Sequence, residues 1–327
     1  MKSVFKDQVA VVTGAGGTLC SAIAKHLAAL GCKVVLVGRT REKLEKVAEN
    51  RALPCAAQDR VPGAAAPGAR FLVAPADVTD EAAIQAVADR VLAEWGPCRF
   101  LVNGAGGNNP AAMPTRLRFS EEDLRSSGSP NPASASPTPA SGSRSPASGS
   151  RSPDSSGPRE AAASRGFFDI DMAAFRSVLE INTLGTVIPS RIFGLQMARA
   201  GGGAILNFAS MNTYRPLTRV APYAMAKAAI ANWTQFFAQY MAPAHVRVNA
   251  VAPGFMVNER SRKYLCTPDG GLSPRGEQVM AHTPMGRFGE AEDLIGCVEW
   301  LLDDTRAAFV TGITVPVDGG FLSSAGV

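Results

Sequence analysis

The fold is predicted most directly by one segment near the N-terminus, Val11-Val12-Thr13-Gly14-Ala15-Gly16-Gly17-Thr18-Leu19-Cys20. It joins an apolar run from Gln8 to Thr13, which predicts a buried strand, to a segment from Thr18 to about Leu30 with helical periodicity. Glycines let the backbone turn tightly and approach a ligand, and N–H groups at the start of the helix favour an anion such as a pyrophosphate. A glycine-rich turn can also serve packing alone, so its place after the first buried strand carries the argument.

Outward from this turn, short apolar strands alternate with helical segments. Lys33 to Val37 is rich in Val without polar alternation, as in a sheet covered on both faces. We predict further strands at Leu72–Pro75, Phe100–Asn103, Ala204–Ala209, Val246–Val251 and Thr314–Val317, and helices at Glu42–Ala52, Glu81–Glu94, Met172–Ala200, Pro222–Met241 and Glu290–Leu302. This order predicts an α/β fold with a doubly wound parallel sheet, and residues 1–327 as one domain.

One segment, from Ser126 to Ser164, departs from this composition. Its 39 residues include 14 Ser, 7 Pro, 7 Ala and 4 Gly, with no Val, Ile, Leu, Met or aromatic residue, and the heptad at 140–146 recurs at 147–153. Nothing in it can be buried to offset a backbone ordering entropy of about 1–2 kcal/mol per residue. We predict a disordered insertion in a surface loop. A role as a phosphorylated or partner-binding segment stays open beside a tolerated repeat expansion.

Composition excludes several classes of protein. The 327 residues are 46% hydrophobic and 19% charged, and no run reaches the roughly 18 apolar residues of a membrane span. The first residues lack the layout of a signal peptide, so we expect a cytoplasmic protein without membrane partners. The six cysteines and three histidines lack metal-ligand spacing, and we expect no metal. The net charge of +5 includes no block of like charges, which argues against nucleic acid.

The tip of the second strand bears on which dinucleotide binds. An acid about twenty residues after the glycines would accept from the ribose 2′-hydroxyl of NAD, but Gly38-Arg39-Thr40-Arg41 stands there. A guanidinium suits a 2′-phosphate, so the sequence favours NADP(H) over NAD(H), although Arg39 could also be a solvated charge or stack on adenine. Asp77, before Val78, could accept from the adenine amino group or act as a helix cap.

A second small-residue loop follows the predicted strand Phe100–Asn103. Asn103-Gly104-Ala105-Gly106-Gly107 leaves room for a cofactor that lies across the strand ends. The residues predicted to hold the dinucleotide from these loops are Gly14, Gly16, Gly17, Thr18, Leu19, Arg39, Asp77, Val78, Asn103, Gly104 and Ala105.

The candidate catalytic residues follow a later strand. Ser210 directly follows the predicted strand Ala204–Ala209. Tyr223 and Lys227 lie four residues apart on a predicted helix, so these two side chains face one pocket. A neighbouring cation stabilises phenolate and would lower the pKa of Tyr223 towards neutrality. Tyr223 could then exchange a proton with a substrate hydroxyl or carbonyl while Ser210 orients that oxygen. A Tyr-x-x-x-Lys pair is expected by chance roughly 0.1 times in a chain of this composition, so the pair alone is modest evidence for an active site. The strand-end Ser210 and the glycine-rich turn at the first strand make an accidental match implausible.

Together these motifs resemble the short-chain dehydrogenase/reductase family over the whole chain apart from the insertion. The order is glycine turn, Asp77-Val78, the loop after Asn103, then Asn182, Ser210, Tyr223-x-x-x-Lys227 and Pro253-Gly254. The resemblance implies a Rossmann-type fold and a catalytic set of Asn182, Ser210, Tyr223 and Lys227. It implies that Asn182 bends its helix and holds a water linked to Lys227, that Pro253 and Gly254 line the nicotinamide, and that Tyr223 and Lys227 also contact the cofactor.

The details are similar to a sugar-acid branch of the family, the D-mannonate oxidoreductase (D-fructuronate reductase)-like enzymes. The shared elements are the turn Gly-Gly-x-Leu-Cys-Ser, Asn-Gly-Ala-Gly-Gly-Asn, Phe-Phe-Asp-Ile-Asp and Thr-Pro-Met-Gly-Arg-Phe-Gly-Glu. The resemblance implies a homodimer or homotetramer, and a lid at about Asn258–Pro284. Candidate contacts to a polyhydroxylated carboxylate are Asn108, Asn109, Asn212 and Arg219.

Two alternatives to a sugar-acid oxidoreductase stay open. The same mechanism could serve another polyol, ketone or 3-oxoacyl substrate. The chain could also be a non-catalytic dinucleotide-binding scaffold, which would have no reason to keep Asn182, Ser210, Tyr223 and Lys227 together.

Overall fold

The computed structural model describes residues 3–49, 70–126 and 165–324. Its strands are β1 Val9–Thr13, β2 Lys33–Gly38, β3 Arg70–Pro75, β4 Cys98–Asn103, β5 Gly203–Phe208, β6 Val246–Pro253 and β7 Thr314–Val317. Its helices are α1 Thr18–Ala29, α2 Arg41–Glu49, α3 Glu81–Trp95, α4 Glu121–Ser126, α5 Met172–Arg199, α6 Ala221–Met241, α7 Glu259–Leu265, α8 Pro274–Ala281 and α9 Ile295–Leu302.

The strands of the described residues form one parallel sheet in the order β3-β2-β1-β4-β5-β6-β7. The order reverses between β1 and β4, which is where ligands bind in doubly wound sheets. The predicted α/β fold with a doubly wound parallel sheet is confirmed. Each predicted strand appears, with its bounds shifted by no more than two residues.

Both faces of the sheet are covered, which explains the uninterrupted apolar strands. On one face Val12 and Phe100 pack against Ile23 and Leu27 of α1. On the other, Val11 and Leu101 belong to a core that also holds apolar residues of α3 and α5. Because alternate residues of β1 point to opposite layers, all five are buried. The strand ends are thereby fixed between two rigid layers.

The predicted insertion at 126–164 lies outside the described residues except for Ser126, the last residue of α4. The sequence did not predict the short helices α4, α7 and α8. The predicted helix at Glu290–Leu302 is divided into a 3-10 turn at Ala291–Leu294 and α9. None of the helices described has the length and apolar character that crossing a bilayer requires.

Candidate active site

The turn between β1 and α1 opens onto a groove of about 360 Å³. Gly14 has a φ of +67°, and a Cβ there would lie 2.8 Å from the Ala105 N, so a side chain is excluded by backbone conformation and by space. Gly17 caps α1 without a side-chain hydrogen bond, and the first turn of α1 holds no acidic residue. The N–H groups there are therefore available to an anionic ligand.

The groove runs along the edge that the sequence indicated. Its lining includes the predicted cofactor residues Gly14, Gly16, Gly17, Thr18, Leu19, Arg39 and Gly104, together with Gly106 and Cys20. An uncapped helix start, a glycine floor and an exposed guanidinium fit the phosphates of a dinucleotide. The described residues around the groove therefore accommodate such a cofactor.

A neighbouring cavity of about 370 Å³ is shared by Arg39 and Asp77. The N–H and hydroxyl of Thr79 donate to the Asp77 carboxylate at 3.0 and 2.7 Å. The backbone bond from Thr79 lowers the pKa of Asp77, with smaller contributions from the Thr79 hydroxyl and Arg39. Asp77 is therefore an ionised acceptor at the end of β3. Asn108, predicted to contact substrate, also lines this cavity.

Three residues predicted to bind the cofactor have side chains turned away from the groove. The Asn103 amide is buried and donates to the Ser190 Oγ at 2.8 Å and the Asn207 Oδ1 at 2.9 Å. Val78 is 3% exposed and lies against Gly185 of α5, and Ala105 packs partly against the same core. None of these three residues is among those that line the groove or the neighbouring cavity.

The loop after β4 is held from beneath by Thr13. The N–H groups of Gly104 and Ala105 donate to the Thr13 Oγ1 at 3.1 and 3.2 Å. The start of the loop is thus tied to the end of β1, which places it beside the glycine turn.

Asn182 holds the other end of this loop. Its amide donates to the Gly107 O at 2.7 Å and the Val178 O at 2.8 Å, and its Oδ1 accepts from the Gly107 N at 3.3 Å. Asn182 lies within α5, which runs from Met172 to Arg199 and contains Pro189. Both amide hydrogens are used, so in this structure the Asn182 side chain anchors the loop.

Ser210, Tyr223 and Lys227 meet in a cavity of about 300 Å³, with Pro253 and Gly254 on its wall. Ser210 is hydrogen-bonded to the Tyr223 hydroxyl, and the Lys227 ammonium lies 5.5 Å from the Tyr223 ring centroid. Ser210 Oγ also accepts from the N–H and the amide of Asn212, each at 3.2 Å. A substrate oxygen near Ser210 would be within reach of the Tyr223 hydroxyl.

The expected lowering of the Tyr223 pKa is not found. Burial raises the pKa of Tyr223, and the hydrogen bond with Ser210 only partly opposes this. The Lys227 ammonium donates to the Phe208 O at 2.6 Å and lies over the ring rather than beside the hydroxyl. Burial also lowers the pKa of Lys227 to about 8. At neutral pH the tyrosine therefore holds its proton and can donate it.

Two of the predicted substrate contacts use their side-chain oxygens in local hydrogen bonds, although one of them, Asn109, lines the same cavity as Asn108. Asn212 is 5% exposed, and its Oδ1 accepts from the Leu217 N at 3.0 Å, so it shapes its own loop instead of facing a ligand. The Asn109 side chain caps the turn that follows it by accepting from the Ala111 N. Arg219 is exposed, with a left-handed φ of 70°. Short-range hydrogen bonds, which a linear pattern does not reveal, decide these orientations.

The cavity that holds Ser210, Tyr223 and Lys227 is also lined by residues that the sequence analysis did not predict. Phe255 and Met256 line it directly after Pro253 and Gly254, and Phe208 lies at the end of β5. Asn258, the first residue of the predicted lid, also lines this cavity. The signal was available, because residues just past the carboxyl ends of parallel strands gather at one edge of the sheet.

The chain also matches known families along most of its length. Residues 8–131 match the family described as short chain dehydrogenase, and residues 157–322 match the family described as Enoyl-(Acyl carrier protein) reductase. The chain belongs to the short-chain dehydrogenase/reductase family. It is therefore an NAD(P)-dependent oxidoreductase.

Individual relatives cover nearly the whole chain. The uncharacterized oxidoreductase UxuB of Bacillus subtilis is 35% identical over 98% of this chain and 96% of its own length. A Haemophilus influenzae protein, provisionally described as a D-mannonate oxidoreductase and solved with bound NAD, is 32% identical with a TM-score of 0.78, covering 98% of this chain and 97% of its own. A Beutenbergia cavernae protein, provisionally described as an NAD(P)-dependent gluconate 5-dehydrogenase and solved with NADP at low occupancy, is 26% identical with a TM-score of 0.69, covering 99% and 100%.

Proposed function

We propose that this short-chain dehydrogenase/reductase interconverts a carbonyl and a secondary alcohol on a sugar acid such as D-fructuronate or D-mannonate. One observation carries the proposal for the reaction: the Tyr223 hydroxyl, bonded to Ser210, faces a cavity that adjoins the glycine-lined groove. The sugar-acid substrate is supported by the descriptions of the Haemophilus and Beutenbergia relatives.

A nicotinamide cofactor held in the glycine-lined groove would supply or accept the hydride. In reduction, Ser210 donates a hydrogen bond to the carbonyl oxygen and orients it. The Tyr223 hydroxyl gives its proton to that oxygen, and the Lys227 ammonium lies 5.5 Å from the ring centroid of the phenolate that remains. In oxidation the tyrosine takes the proton back. Asn182 keeps the loop at Gly107 in place, and Pro253 and Gly254 form the opposite wall.

We further propose that NADP(H) is preferred to NAD(H). The support is Arg39, an exposed guanidinium on the groove at the tip of β2, where an acid would select the ribose 2′-hydroxyl. We also propose that residues 1–327 form a single domain, that the protein is cytoplasmic, and that it assembles as a homodimer or homotetramer.

The test measures reduced-nicotinamide consumption by the purified protein with D-fructuronate, in parallel with NADPH and NADH. We expect turnover with NADPH preferred. Preference for NADH would contradict the role of Arg39, and absence of turnover with both would overturn the sugar-acid substrate.

The role of Tyr223 is tested by Tyr223→Phe. We expect kcat to fall about 10³-fold, since the proton donor is lost, while the dissociation constant for the nucleotide stays within about threefold. Tyr240→Phe is the matched control, because Tyr240 lies exposed on the same helix. Undiminished turnover in Tyr223→Phe would refute the assignment.

A further inference from the structure

Strand β5 contains a single polar side chain, Asn207, which is fully buried. Its amide donates to the Thr234 Oγ1 at 2.9 Å, and its Oδ1 accepts from the Asn103 amide at 2.9 Å. The Asn103 amide also donates to the Ser190 Oγ at 2.8 Å. Asn207 therefore lies at the centre of a buried chain of hydrogen bonds that joins α6, β5, β4 and α5.

This chain of hydrogen bonds is an inefficient way to stabilise the core. The Asn103 Oδ1 is buried and has no hydrogen-bond partner among the described residues. A buried polar atom without a partner is destabilising, and an apolar pair of the same shape can replace a hydrogen-bonded pair with almost no loss of stability. Hydrogen bonds supply direction, whereas apolar attraction does not. The bonds of Asn207 therefore matter most for how the elements are oriented.

Two hydrogen bonds on one face fasten α6 to β5. The Lys227 ammonium donates to the Phe208 O at 2.6 Å, and Thr234 accepts from Asn207, the neighbouring residue of the strand. Lys227 and Thr234 are seven residues apart, so they lie on the same side of the helix, about 10 Å from each other along its axis. Two points of attachment fix the direction of the helix relative to the strand, whereas one point leaves the helix free to pivot.

Apolar packing does not fix this direction by itself. Around Ile230, between the two attachments, α6 meets the sheet through small side chains. The buried cluster there consists of Ile230, Ala209, Ala250 and Ala252. Phe237 packs the far end of α6 into the larger core, but an apolar contact resists separation more than rotation. The bond at Thr234 thus supplies the second directional attachment.

We propose that Asn207 and Thr234 are positioning residues that hold the Tyr223 hydroxyl in line with Ser210. This inference rests on the proposed function, in which Tyr223 is the proton donor. Ser210 directly follows the end of β5, and Tyr223 lies in the first turn of α6. The hydrogen bond between Ser210 and Tyr223 therefore spans the same two elements as the bond between Asn207 and Thr234.

The size of the effect follows from the lengths along α6. Without its bond to Asn207, the Thr234 end of the helix can pivot about Lys227. Tyr223 lies four residues from this pivot and Thr234 seven, so a movement of about 1 Å at Thr234 shifts Tyr223 by about 0.6 Å. A misplacement of about 1 Å in an active site slows a reaction on the order of 100-fold, so we expect a loss of about 10-fold.

The first test compares Thr234→Val, which removes the hydroxyl, with Thr234→Ser, which keeps it. With D-fructuronate and NADPH, kcat should fall about 10-fold in Thr234→Val and stay within about threefold in Thr234→Ser, while KM and the NADPH dissociation constant stay within about threefold in both. Thr234→Cys, whose thiol is only a weak acceptor, repeats the comparison if Thr234→Val does not fold. Thr183→Val is the matched control and should keep the wild-type kcat, because the Thr183 hydroxyl donates to the Leu179 O of its own helix at 2.7 Å.

A second measurement separates the positioning role from the proposed reaction. Crystal structures of the wild type and Thr234→Val give the distance between the Tyr223 hydroxyl and the Ser210 Oγ without any substrate. We expect this distance to be about 0.5 Å longer in the variant, and this result supports the positioning role even if the wild type does not reduce D-fructuronate. An unchanged distance overturns it. So does a wild-type kcat in Thr234→Val, or an equal loss of kcat in Thr234→Ser, and either result would leave the proposed function standing.

Discussion

Lys227 is buried beside Tyr223, with 4% of its surface exposed. Burial lowers its pKa from 10.5 to about 8, because the charged form loses water and gains only the Phe208 carbonyl at 2.6 Å. The buried ammonium therefore lowers the free energy of unfolding at neutral pH. It is explained by chemistry, since the charge lies 5.5 Å from the ring of the proposed proton donor.

We predict that Lys227→Met makes the protein more stable at pH 7 while abolishing turnover. The folded pKa lies below the unfolded one, so between about pH 8 and 10.5 the unfolded chain binds more protons and the free energy of unfolding rises with pH. Below pH 8 the buried charge costs at most about 3 kcal/mol, from 1.36 kcal/mol per pKa unit. Losing the bond to Phe208 offsets about 1 kcal/mol.

Urea denaturation of Lys227→Met and wild type at pH 7 and pH 9.5 checks this prediction. The gain in the variant should be about 1–2 kcal/mol at pH 7 and smaller at pH 9.5. Lys263→Met, at an exposed position on α7, should show neither effect. A variant less stable than wild type at both pH values would contradict the destabilisation attributed to the buried charge of Lys227.

At the scale of elements, the loop after β4 and the start of α1 are in close contact. Gly104 has no room for a side chain, because a Cβ would overlap the Cys20 Sγ and approach the Thr13 O to 3.2 Å. The Cys20 thiol is itself buried, and burial raises its pKa to about 12. The groove depends on this contact, since both Gly104 and Cys20 line it.

We predict that Gly104→Ala lowers the free energy of unfolding by about 1–3 kcal/mol through overpacking, and weakens nucleotide binding because the loop shifts. Adding Cys20→Ala should recover at least 1 kcal/mol, measured as the coupling energy of a double-mutant cycle. Gly107→Ala is the control for stability, because nothing lies within 4 Å of its Cβ position. Strictly additive effects would show that the Cys20 contact does not limit the loop.

Local pattern predicted the elements of this fold well, and predicted side-chain direction poorly. The glycine turn, the strands and the Ser210, Tyr223, Lys227 set could be read because periodicity and strand ends are local properties. Asn103 turned inward because its amide donates to Ser190 and Asn207, which are distant along the chain, whereas Asn212 turned inward because short-range hydrogen bonds with Ser210 and Leu217 use its side chain.

At the scale of the whole molecule, the chain on either side of residues 127–164 is closed by its own contacts. The Arg165 O accepts from the N–H groups of Thr115 and Arg116, and the Arg165 N donates to the Thr115 Oγ1 at 2.7 Å. Arg116 pairs with Asp123 of α4 at 2.7 Å and reaches Asp169 at 3.6 Å. These hydrogen bonds and ion pairs join the chain just before residues 127–164 directly to the chain just after them.

We predict that replacing residues 127–164 by a short Gly-Ser linker leaves the melting temperature within about 2 °C and turnover unchanged, because the removed segment has no large apolar side chain to bury and closing a shorter loop costs less entropy. Arg165→Ala in the full chain is the opposing variant: its guanidinium donates to the Pro110 O at 2.6 Å and the Met113 O at 2.8 Å, so its loss should cost about 1–2 kcal/mol. If the shortened chain is insoluble while Arg165→Ala is as stable as wild type, the segment supports the fold and the contacts at its base do not.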